Sequence, residues 1–380
     1  ERTELRTFFA YNDTTKVEEI LSMITEEVEK VEFLRRYVSK SREGSTKKRR
    51  IEESQKPYIA SDRHSVKLPS QIINILNSSE FVPEPRTKFT AVLQNLEVGQ
   101  NITLLNFGQE PKHFALGYQR KKLFVTNQII DMWSLLSKDD GNSIKRVLLE
   151  PMGVEKSYLA FFLAAKAYSK GWLMLYISDA AELIKPSMEM ASKEICKRFL
   201  AINKDILTAN ELKGLVEFVS EDDVFVTCTS LIWDLLKQKD RKTLLVVDEH
   251  GVLFNLDPPV PDRLIILISL KYLNFWGEKA AGSRVIFAGT AHAKFEKTYL
   301  INDMHNWWVE YVCSLTEEVF DKLLDLHPFL KKPSIAPKVK RIVNCVPRKF
   351  IYFAEYVKDS SSNYVPDERI DILLESFQND

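Results

Sequence analysis

The sequence is poor in cysteine, has no net charge and contains no long apolar run. Its four cysteines are Cys196, Cys228, Cys313 and Cys345, and their spacing fits no metal-binding motif. Scattered cysteines of this kind are typical of reduced core residues, which indicates a reducing compartment. Lysine plus arginine and aspartate plus glutamate both number 53, so no overall basic field favours nucleic-acid binding.

The longest apolar segment, Leu264–Leu270, is too short to span a membrane and contains Ser269. The sequence also lacks a Ser-His-Asp spacing, a Cys/His ligand set, a nuclease-like group of acids with a lysine, and an internal repeat. The chain begins at Glu1 rather than at methionine, so we expect a fragment or a processed form whose targeting peptide is out of view. The remaining composition is that of a globular protein with one or two domains.

Residues 1–40 have the pattern of a helix. Thr15 and Glu18 form a capping box at its start. Five apolar residues then repeat at spacings of four and three, as in a coiled-coil seam: Val17, Leu21, Ile24, Val28 and Val31. This stripe over residues 17–31 fits either a helix packed on its own domain or a contact between two copies of the chain.

Residues 41–70 are polar and basic, and we expect them to form a disordered linker. Four consecutive cations lie at 47–50, in the order Lys-Lys-Arg-Arg. They allow two interpretations: a nuclear-import signal, which Arg35 and Arg36 would extend, or a run of solvated charges.

From about residue 71 onward, apolar strands alternate with helical segments. This alternation predicts an α/β fold in which helices cover both faces of a parallel sheet. We expect a nucleotide-binding type of domain with an N-terminal extension over 71–310, and a helical lid with a C-terminal tail over 311–380. Strands are predicted at 121–125, 147–149, 172–177, 243–247 and 284–288. Helices are predicted at 126–136, 158–167, 186–203, 210–219, 224–237, 316–326 and 347–358, and the segment Pro258–Asn274 leads to a buried helix. Residues 224–228 also fit a strand.

The segment from Val147 to Ser157 has the layout of a phosphate-binding loop. A short buried strand leads into a tight turn that contains Gly153, after which Lys156 and Ser157 open an apolar helix. In a P-loop, backbone N–H groups and the helix N-terminus hold phosphate oxygens, the lysine reaches the β- and γ-phosphates, and the hydroxyl group binds Mg²⁺. The segment therefore predicts a P-loop that, if its site is functional, would bind ATP and Mg²⁺; whether it still binds a nucleotide is the question that its two glutamates raise.

Glutamates occupy the two positions where the P-loop pattern has flanking glycines, Glu150 and Glu155. A non-glycine residue in a left-handed conformation costs roughly 1 kcal/mol. A carboxylate about 5 Å from a phosphate repels it by roughly 3 kcal/mol at an effective dielectric constant of about 20. Two such residues would weaken nucleotide binding by orders of magnitude, unless Glu155 pairs with Lys156 or points to solvent.

The apolar run Leu244–Val247, followed by Asp248 and Glu249, has the Walker B pattern. The aspartate would hold Mg²⁺ directly or through water, and the glutamate would polarise the attacking water.

Two further residues have two interpretations each. Thr290, after strand 284–288, would either sense the γ-phosphate or cap the strand, and Arg348 would either reach back to a nucleotide, as in AAA-type lids, or lie on the surface.

Several stretches of the chain resemble Crinkler effectors of filamentous fungi and oomycetes. The most specific stretch is 151–180, which includes the Lys-Ser pair, and the segments Pro85–Phe89, Gly108–Phe114 and Leu123–Thr126 are similar as well. The resemblance covers roughly residues 80–355. It implies a secreted protein that is delivered into a host cell and often its nucleus, with a central P-loop NTPase domain of the AAA/STAND kind. Some members carry a C-terminal restriction-like nuclease.

The chain departs from that family at three points. The family's Gly-Pro-Met-Gly-Val-Gly-Lys-Ser reads Glu-Pro-Met-Gly-Val-Glu-Lys-Ser here. No ubiquitin-like N-terminal header is visible, and the residues after the lid region carry no nuclease prediction. These observations allow three functions. The first is an effector that has a degenerate nucleotide site and acts by binding host proteins, with a homodimer through 17–31 as one form of it. The second is an active Mg-dependent ATPase, and the third is a DNA-binding module that uses the basic stretch 35–50. The glutamates favour the first, and the zero net charge disfavours the third.

Overall fold

The molecule is described here by a computed structural model. It describes residues 55–111, 122–138, 143–149, 156–185, 187–217, 224–254, 282–289 and 309–359, with short pieces at 266–267, 269–271, 273–276, 372 and 376. The predicted helix over 1–40 and the cations at 47–50 lie outside these residues. So do Glu150, Gly153, Glu155 and Thr290.

The described chain alternates strands and helices as the sequence predicts. The strands are β1 (Gln55–Ile59), β2 (Ser65–Pro69), β3 (Asn101–Thr103), β4 (Lys122–Phe124), β5 (Ile144–Leu149), β6 (Leu173–Ile177), β7 (Thr243–Val247), β8 (Arg284–Ala288) and β9 (Val309–Tyr311). The α-helices are α1 (Ser70–Leu76), α2 (Arg86–Leu93), α3 (Asn127–Ser137), α4 (Lys156–Ser169), α5 (Met188–Asn203), α6 (Ala209–Gly214), α7 (Val224–Lys237), α8 (Glu317–Leu324), α9 (Ala336–Val343) and α10 (Pro347–Asp359). Short 3₁₀ helices cover Ala180–Leu183, His250–Phe254, Leu273–Trp276 and Pro328–Leu330.

The centre of the fold is a five-stranded, all-parallel sheet in the order β6-β7-β8-β5-β9. The chain passes from β5 to the far edge of the sheet through α4 and returns strand by strand to β8. Because parallel crossovers are right-handed, α4 lies on one face and α5 to α7 lie on the other. Successive strand residues alternate between these two faces: Met174 and Tyr176 pack with α4, whereas Leu175 and Ile177 pack with α5 and α7. The predicted α/β fold with a covered parallel sheet is confirmed.

Helix α4 is apolar on every side because it is covered on every side. It lies over β6, β7 and β8, and α2 and α3 cover its outer surface. Every residue from Tyr158 to Tyr168 is buried. The C-terminal helices α8, α9 and α10 contribute to the same hydrophobic core as α4.

Arg86, the first residue of α2, ties the N-terminal part of the chain to the ends of two helices. Its guanidinium group binds the Asp205 carboxylate at 2.7 and 3.0 Å. It also donates to the carbonyl oxygens of Tyr168 (2.6 Å) and Ile202 (3.0 Å) and lies 3.9 Å from the centre of the Tyr168 ring. Those carbonyls belong to the last turns of α4 and α5, where the backbone needs partners from outside the helix.

Side-chain amides cover the outer edge of β6. Asn203 accepts from the Met174 N–H group at 3.0 Å and donates to the Met174 carbonyl oxygen at 2.6 Å. Further along the strand, Gln109 donates to the Tyr176 carbonyl oxygen at 2.7 Å and accepts from the Ser178 N–H group at 3.4 Å. Each amide thus offers one donor and one acceptor, as a neighbouring strand would.

The prediction that residues up to 70 form a linker is wrong for residues 55–69. Strands β1 and β2 form an antiparallel hairpin in which Gln55 lies opposite Pro69. Val66 and Leu68 of β2 are buried, whereas Ser65 and Lys67 are exposed, which is the alternation of a strand with one covered face. The polar residues of the exposed face gave the whole segment the composition of a linker.

Other elements differ from the predictions in length or were not predicted. The predicted helix over 210–219 ends at Gly214. Residues 266–267 and 269–271 are helical and largely buried, in agreement with the buried helix predicted from the segment Pro258–Asn274, and the 3₁₀ turn Leu273–Trp276 follows them. Residues 224–228, for which a strand was the alternative, are helical. The sequence did not predict α1, α2, α9, β3 or β9. In the described part of the chain, no helix is both long and apolar enough to cross a membrane.

Candidate functional site

The predicted site residues lie at the edge of the sheet where the parallel strands end. This edge is where ligands bind in open α/β folds. Lys156 and Ser157 form the first turn of α4, and Asp248 and Glu249 directly follow β7. Strand β8 lies between β5 and β7 in the sheet, so the two motifs approach each other across the end of β8.

The structure brings Ser157 and Asp248 into contact. Burial raises the pKa of the Asp248 carboxyl group to about 7. The hydrogen bond from the Ser157 hydroxyl group opposes this rise, whereas the negative charges of Glu249 and Asp179 add to it. Asp248 is only 1% exposed, so its carboxylate cannot be stabilised by bulk water. A nearby cation would lower this pKa, because it stabilises the ionised form.

The two carboxyl oxygens of Asp248 differ in their contacts. Oδ1 accepts the Glu249 N–H group at 2.9 Å. Oδ2 is buried and has no hydrogen-bond partner among the described residues. A buried carboxylate oxygen without a partner is costly, and it is available to a ligand at the end of β7.

Backbone hydrogen bonds hold Asp248 in place. Its N–H group donates to the Ile177 carbonyl oxygen at 2.8 Å, and its own carbonyl oxygen accepts the Ala180 N–H group at 3.0 Å. These bonds continue the pairing of β6 and β7 beyond the two strands. They also bring Asp179 close to Asp248; the Asp179 side chain caps the following 3₁₀ turn by accepting the Ala181 N–H group at 2.9 Å.

Glu249 has a left-handed backbone conformation, with φ at 52°. Such a conformation costs a non-glycine residue roughly 1 kcal/mol and is often found at active sites. The contact from its N–H group to Asp248 Oδ1 stabilises this turn. Glu249 is half-buried, and its place beside Asp248 is that of the predicted water-activating residue.

His250 joins the end of β7 to the end of β8. Its ring is completely buried and lies against Phe287, with 4.7 Å between the ring centres. Burial lowers the pKa of His250 to about 3, although a hydrogen bond with the Ala288 backbone opposes the shift, so the ring is neutral at physiological pH. Gly289 follows β8, and a Cβ atom there would lie only 3.2 Å from the Gly251 nitrogen. The end of β8 and the 3₁₀ turn that follows β7 therefore approach each other closely.

Lys156 and Arg348 are placed differently. Lys156 is buried at the start of α4, directly after the predicted phosphate loop. Arg348 is half-buried in the first turn of α10, and its Nε atom has no hydrogen-bond partner among the described residues. The groups that act on the Asp248 carboxyl group include Ser157, Glu249 and Asp179 but not Arg348. The structure therefore joins Ser157, Asp248 and Glu249, and it does not join Arg348 to them.

The donor atoms fit Mg²⁺ better than a transition metal. The described residues contain no group of three or more His, Cys, Asp or Glu side chains that could hold a metal ion. Mg²⁺ needs only one or two carboxylates together with waters and phosphate oxygens. Asp248 Oδ2 and the Ser157 hydroxyl group are oxygen ligands of that type.

Sequence reasoning missed Asp179, Tyr176 and His250 as parts of this region. Asp179 carries a detectable signal, since it is an acid just beyond the end of an apolar strand, as Asp248 is.

Comparison with protein-family models finds no match for this chain, and comparison with curated proteins finds none either.

Proposed function

We propose that the chain is a P-loop NTPase domain of the AAA/STAND kind with a weakened site for Mg-ATP, in a Crinkler-type effector. The observation that carries this proposal is the contact between Ser157 and Asp248, with Oδ2 of Asp248 left without a hydrogen-bond partner. It joins the hydroxyl group of the Lys-Ser pair to the aspartate of the Walker B pattern. The strand order supports the proposal as well, because AAA-type domains also insert one strand between the two motif-bearing strands.

In this proposal the residues of the site have defined roles. Lys156 binds the β- and γ-phosphates, and Ser157 and Asp248 hold Mg²⁺. Gly153 allows the loop backbone to approach the phosphates, and Thr290 senses the γ-phosphate. Arg348 is given no role, because the structure does not join it to Ser157, Asp248 and Glu249. Bound Mg²⁺ supplies positive charge beside the phosphates.

Glu150 and Glu155 are the reason to propose a weakened site. Each would place a carboxylate close to the phosphates, with a repulsion of roughly 3 kcal/mol at about 5 Å. We therefore propose that the protein acts mainly by binding host proteins in the host nucleus, as the resemblance to Crinkler effectors implies. An active Mg-dependent ATPase is the second candidate, because Glu249 stands next to Asp248 where it would orient the attacking water.

Restoring the glycines tests the proposal. The double variant Glu150→Gly, Glu155→Gly should gain at least about 2–3 kcal/mol in Mg-ATP binding, roughly 30- to 150-fold, measured by calorimetric titration. Lys156→Ala in the same background should remove the gain. As a control for lost negative charge, Glu97→Gly changes an exposed loop residue and should leave the affinity unchanged.

Two outcomes would change the conclusion. Micromolar binding of Mg-ATP by the natural sequence would contradict the proposal of a weakened site and favour the second candidate, an active ATPase. A hydrolysis assay that compares the natural chain with Glu249→Gln would then test that candidate. Absence of any gain in the double variant would contradict the role given to the two glutamates.

A further inference from the structure

Tyr176 is completely buried, yet its hydroxyl group has no hydrogen-bond partner among the described residues. Its ring packs edge-on against Phe107 and Phe161, with 5.5 and 5.9 Å between ring centres. An apolar residue of similar shape would fill this space without leaving a buried hydroxyl group unsatisfied, which is costly. A buried polar atom of this kind requires an explanation, and a missing water or ion is a common one.

The register of the sheet places Tyr176 next to the candidate cation site. Tyr176 pairs with Val246 of β7, and both residues face α4. Asp248 lies two positions beyond Val246, so the alternation of the strand directs it to the same face. The contact of Asp248 with Ser157 of α4 agrees with this direction.

Helix α4 limits where the Tyr176 ring can extend. Phe161 lies one turn after Ser157 in α4, and it packs on the Tyr176 ring. The ring therefore lies beneath the first turns of α4, on the side where Ser157 meets Asp248. Burial raises the pKa of Tyr176; the charges of Asp248 and Glu110 add to this rise, and that of Arg198 opposes it.

Two buried oxygens without hydrogen-bond partners thus lie on one face of neighbouring strands: Oδ2 of Asp248 and the hydroxyl oxygen of Tyr176. Mg²⁺ dehydrates reluctantly and usually keeps several waters as ligands. Residues that hydrogen-bond such waters tune the affinity of a metal site without touching the metal. We infer that Tyr176 is a positioning residue of the cation site and that its hydroxyl group hydrogen-bonds a water ligand of the divalent cation held by Asp248 and Ser157. This inference rests on the proposed function.

The test uses Mn²⁺ as the probe, because the paramagnetic resonance signal of free Mn²⁺ is lost on binding, and Mg²⁺ as a competitor. The variant Tyr176→Phe removes only the hydroxyl group, so Mn²⁺ affinity should fall about 5-fold. Asp248→Asn should abolish binding. Tyr168→Phe is the matched control, because that hydroxyl group already donates to the Glu84 carbonyl oxygen at 3.2 Å, and its Mn²⁺ affinity should equal that of the natural chain.

A second readout separates this role from a structural one. Without a divalent cation, Tyr176→Phe should not lower the melting temperature, since the hydroxyl group forms no hydrogen bond that the substitution would remove. With saturating Mg²⁺, the natural chain should gain more thermal stability than the variant. The tyrosine ultraviolet difference spectrum induced by Mg²⁺ should also shrink in the variant.

The possible failures are distinct. If Asp248→Asn loses Mn²⁺ binding but Tyr176→Phe binds as tightly as the natural chain, the role of Tyr176 is overturned and the cation site stands. If the natural chain does not bind Mn²⁺ at all, both this inference and the proposed cation site are overturned. A lower melting temperature of Tyr176→Phe with unchanged Mn²⁺ affinity would assign the hydroxyl group a structural role and reject the inference.

Discussion

Asp248→Asn should make the cation-free protein more stable at alkaline pH, although it removes a residue of the candidate site. Burial is the main reason that the pKa of Asp248 is about 7 rather than 3.8. The folded state therefore binds this proton more tightly than the unfolded state does. Stability falls as the pH rises from about 4 to about 7, and the loss is complete above that range.

The expected magnitude follows from the pKa. A tenfold change in proton affinity is worth about 1.4 kcal/mol, so ionising Asp248 costs the folded state about 4 kcal/mol at pH 8. Asparagine cannot ionise and avoids this cost, but its amide group would place an N–H donor at the position of Oδ2, where no described residue accepts it. That unsatisfied group costs roughly 1–3 kcal/mol. At pH 5, about 1.2 pH units above the unfolded pKa of 3.8, the natural aspartate costs the folded state only about 1.6 kcal/mol. The net gain should therefore be about 2 kcal/mol at pH 8 and close to zero at pH 5, where this smaller cost and the cost of the unsatisfied amide cancel.

Urea unfolding in the presence of a chelator at both pH values measures this difference. Asp240→Asn is the control, because Asp240 is exposed in the loop before β7, and its effect should stay within about 0.5 kcal/mol at either pH. Excess Mg²⁺ should stabilise the natural chain and not Asp248→Asn. The reasoning is refuted if Asp248→Asn has the same effect at pH 5 as at pH 8, or if it destabilises the protein at pH 8.

Two further predictions concern segments outside the described residues. Replacing the four cations at 47–50 with alanine should reduce the nuclear accumulation of a fluorescent fusion in host cells, because an import receptor would bind this cluster. The fusion must be too large to diffuse through the nuclear pore, and an unchanged nuclear signal would then reject the import interpretation. Deleting residues 1–40 should convert a dimer into a monomer by light scattering if the apolar stripe over 17–31 is a dimer contact, and a full-length chain that is monomeric at high micromolar concentration would rule that contact out.

Buried strands of the sheet could be predicted from the sequence because they are continuous apolar runs. The bounds of β7 and β8 agree with the prediction, and Thr126 caps α3 as predicted by accepting the Ile129 N–H group. Strand β5 was predicted to start at Val147 but starts at Ile144. Its first half contains Lys145 and Arg146, and the Arg146 side chain pairs with Glu310 of β9 at 3.9 Å. A partner from a strand so distant in sequence cannot be identified from local pattern.

In the candidate site, too, local sequence patterns predict the residues that belong to a motif but not those that the fold brings close to them. Ser157, Asp248 and Glu249 stand in two motifs, and the structure brings them together. In the sequence, nothing distinguishes Tyr176 from the other residues of a buried apolar strand, and nothing distinguishes His250 from an ordinary loop residue. Their proximity to Asp248 and to β8 depends on the order of the strands, which the spacing of motifs does not fix.

The side-chain amides that cover the outer edge of β6 have a consequence for the aggregation of this protein. An edge strand with unpaired backbone groups is a template on which another chain can add a strand and begin to aggregate. Asn203 and Gln109 occupy those groups at both ends of β6, so an incoming strand would first have to displace two buried amides. Neither amide titrates, so the protection is the same in acidic and neutral surroundings. Addition of a strand at the β6 edge should therefore require prior local unfolding around β6, and aggregation through this edge should follow the rate of that opening rather than protein concentration alone.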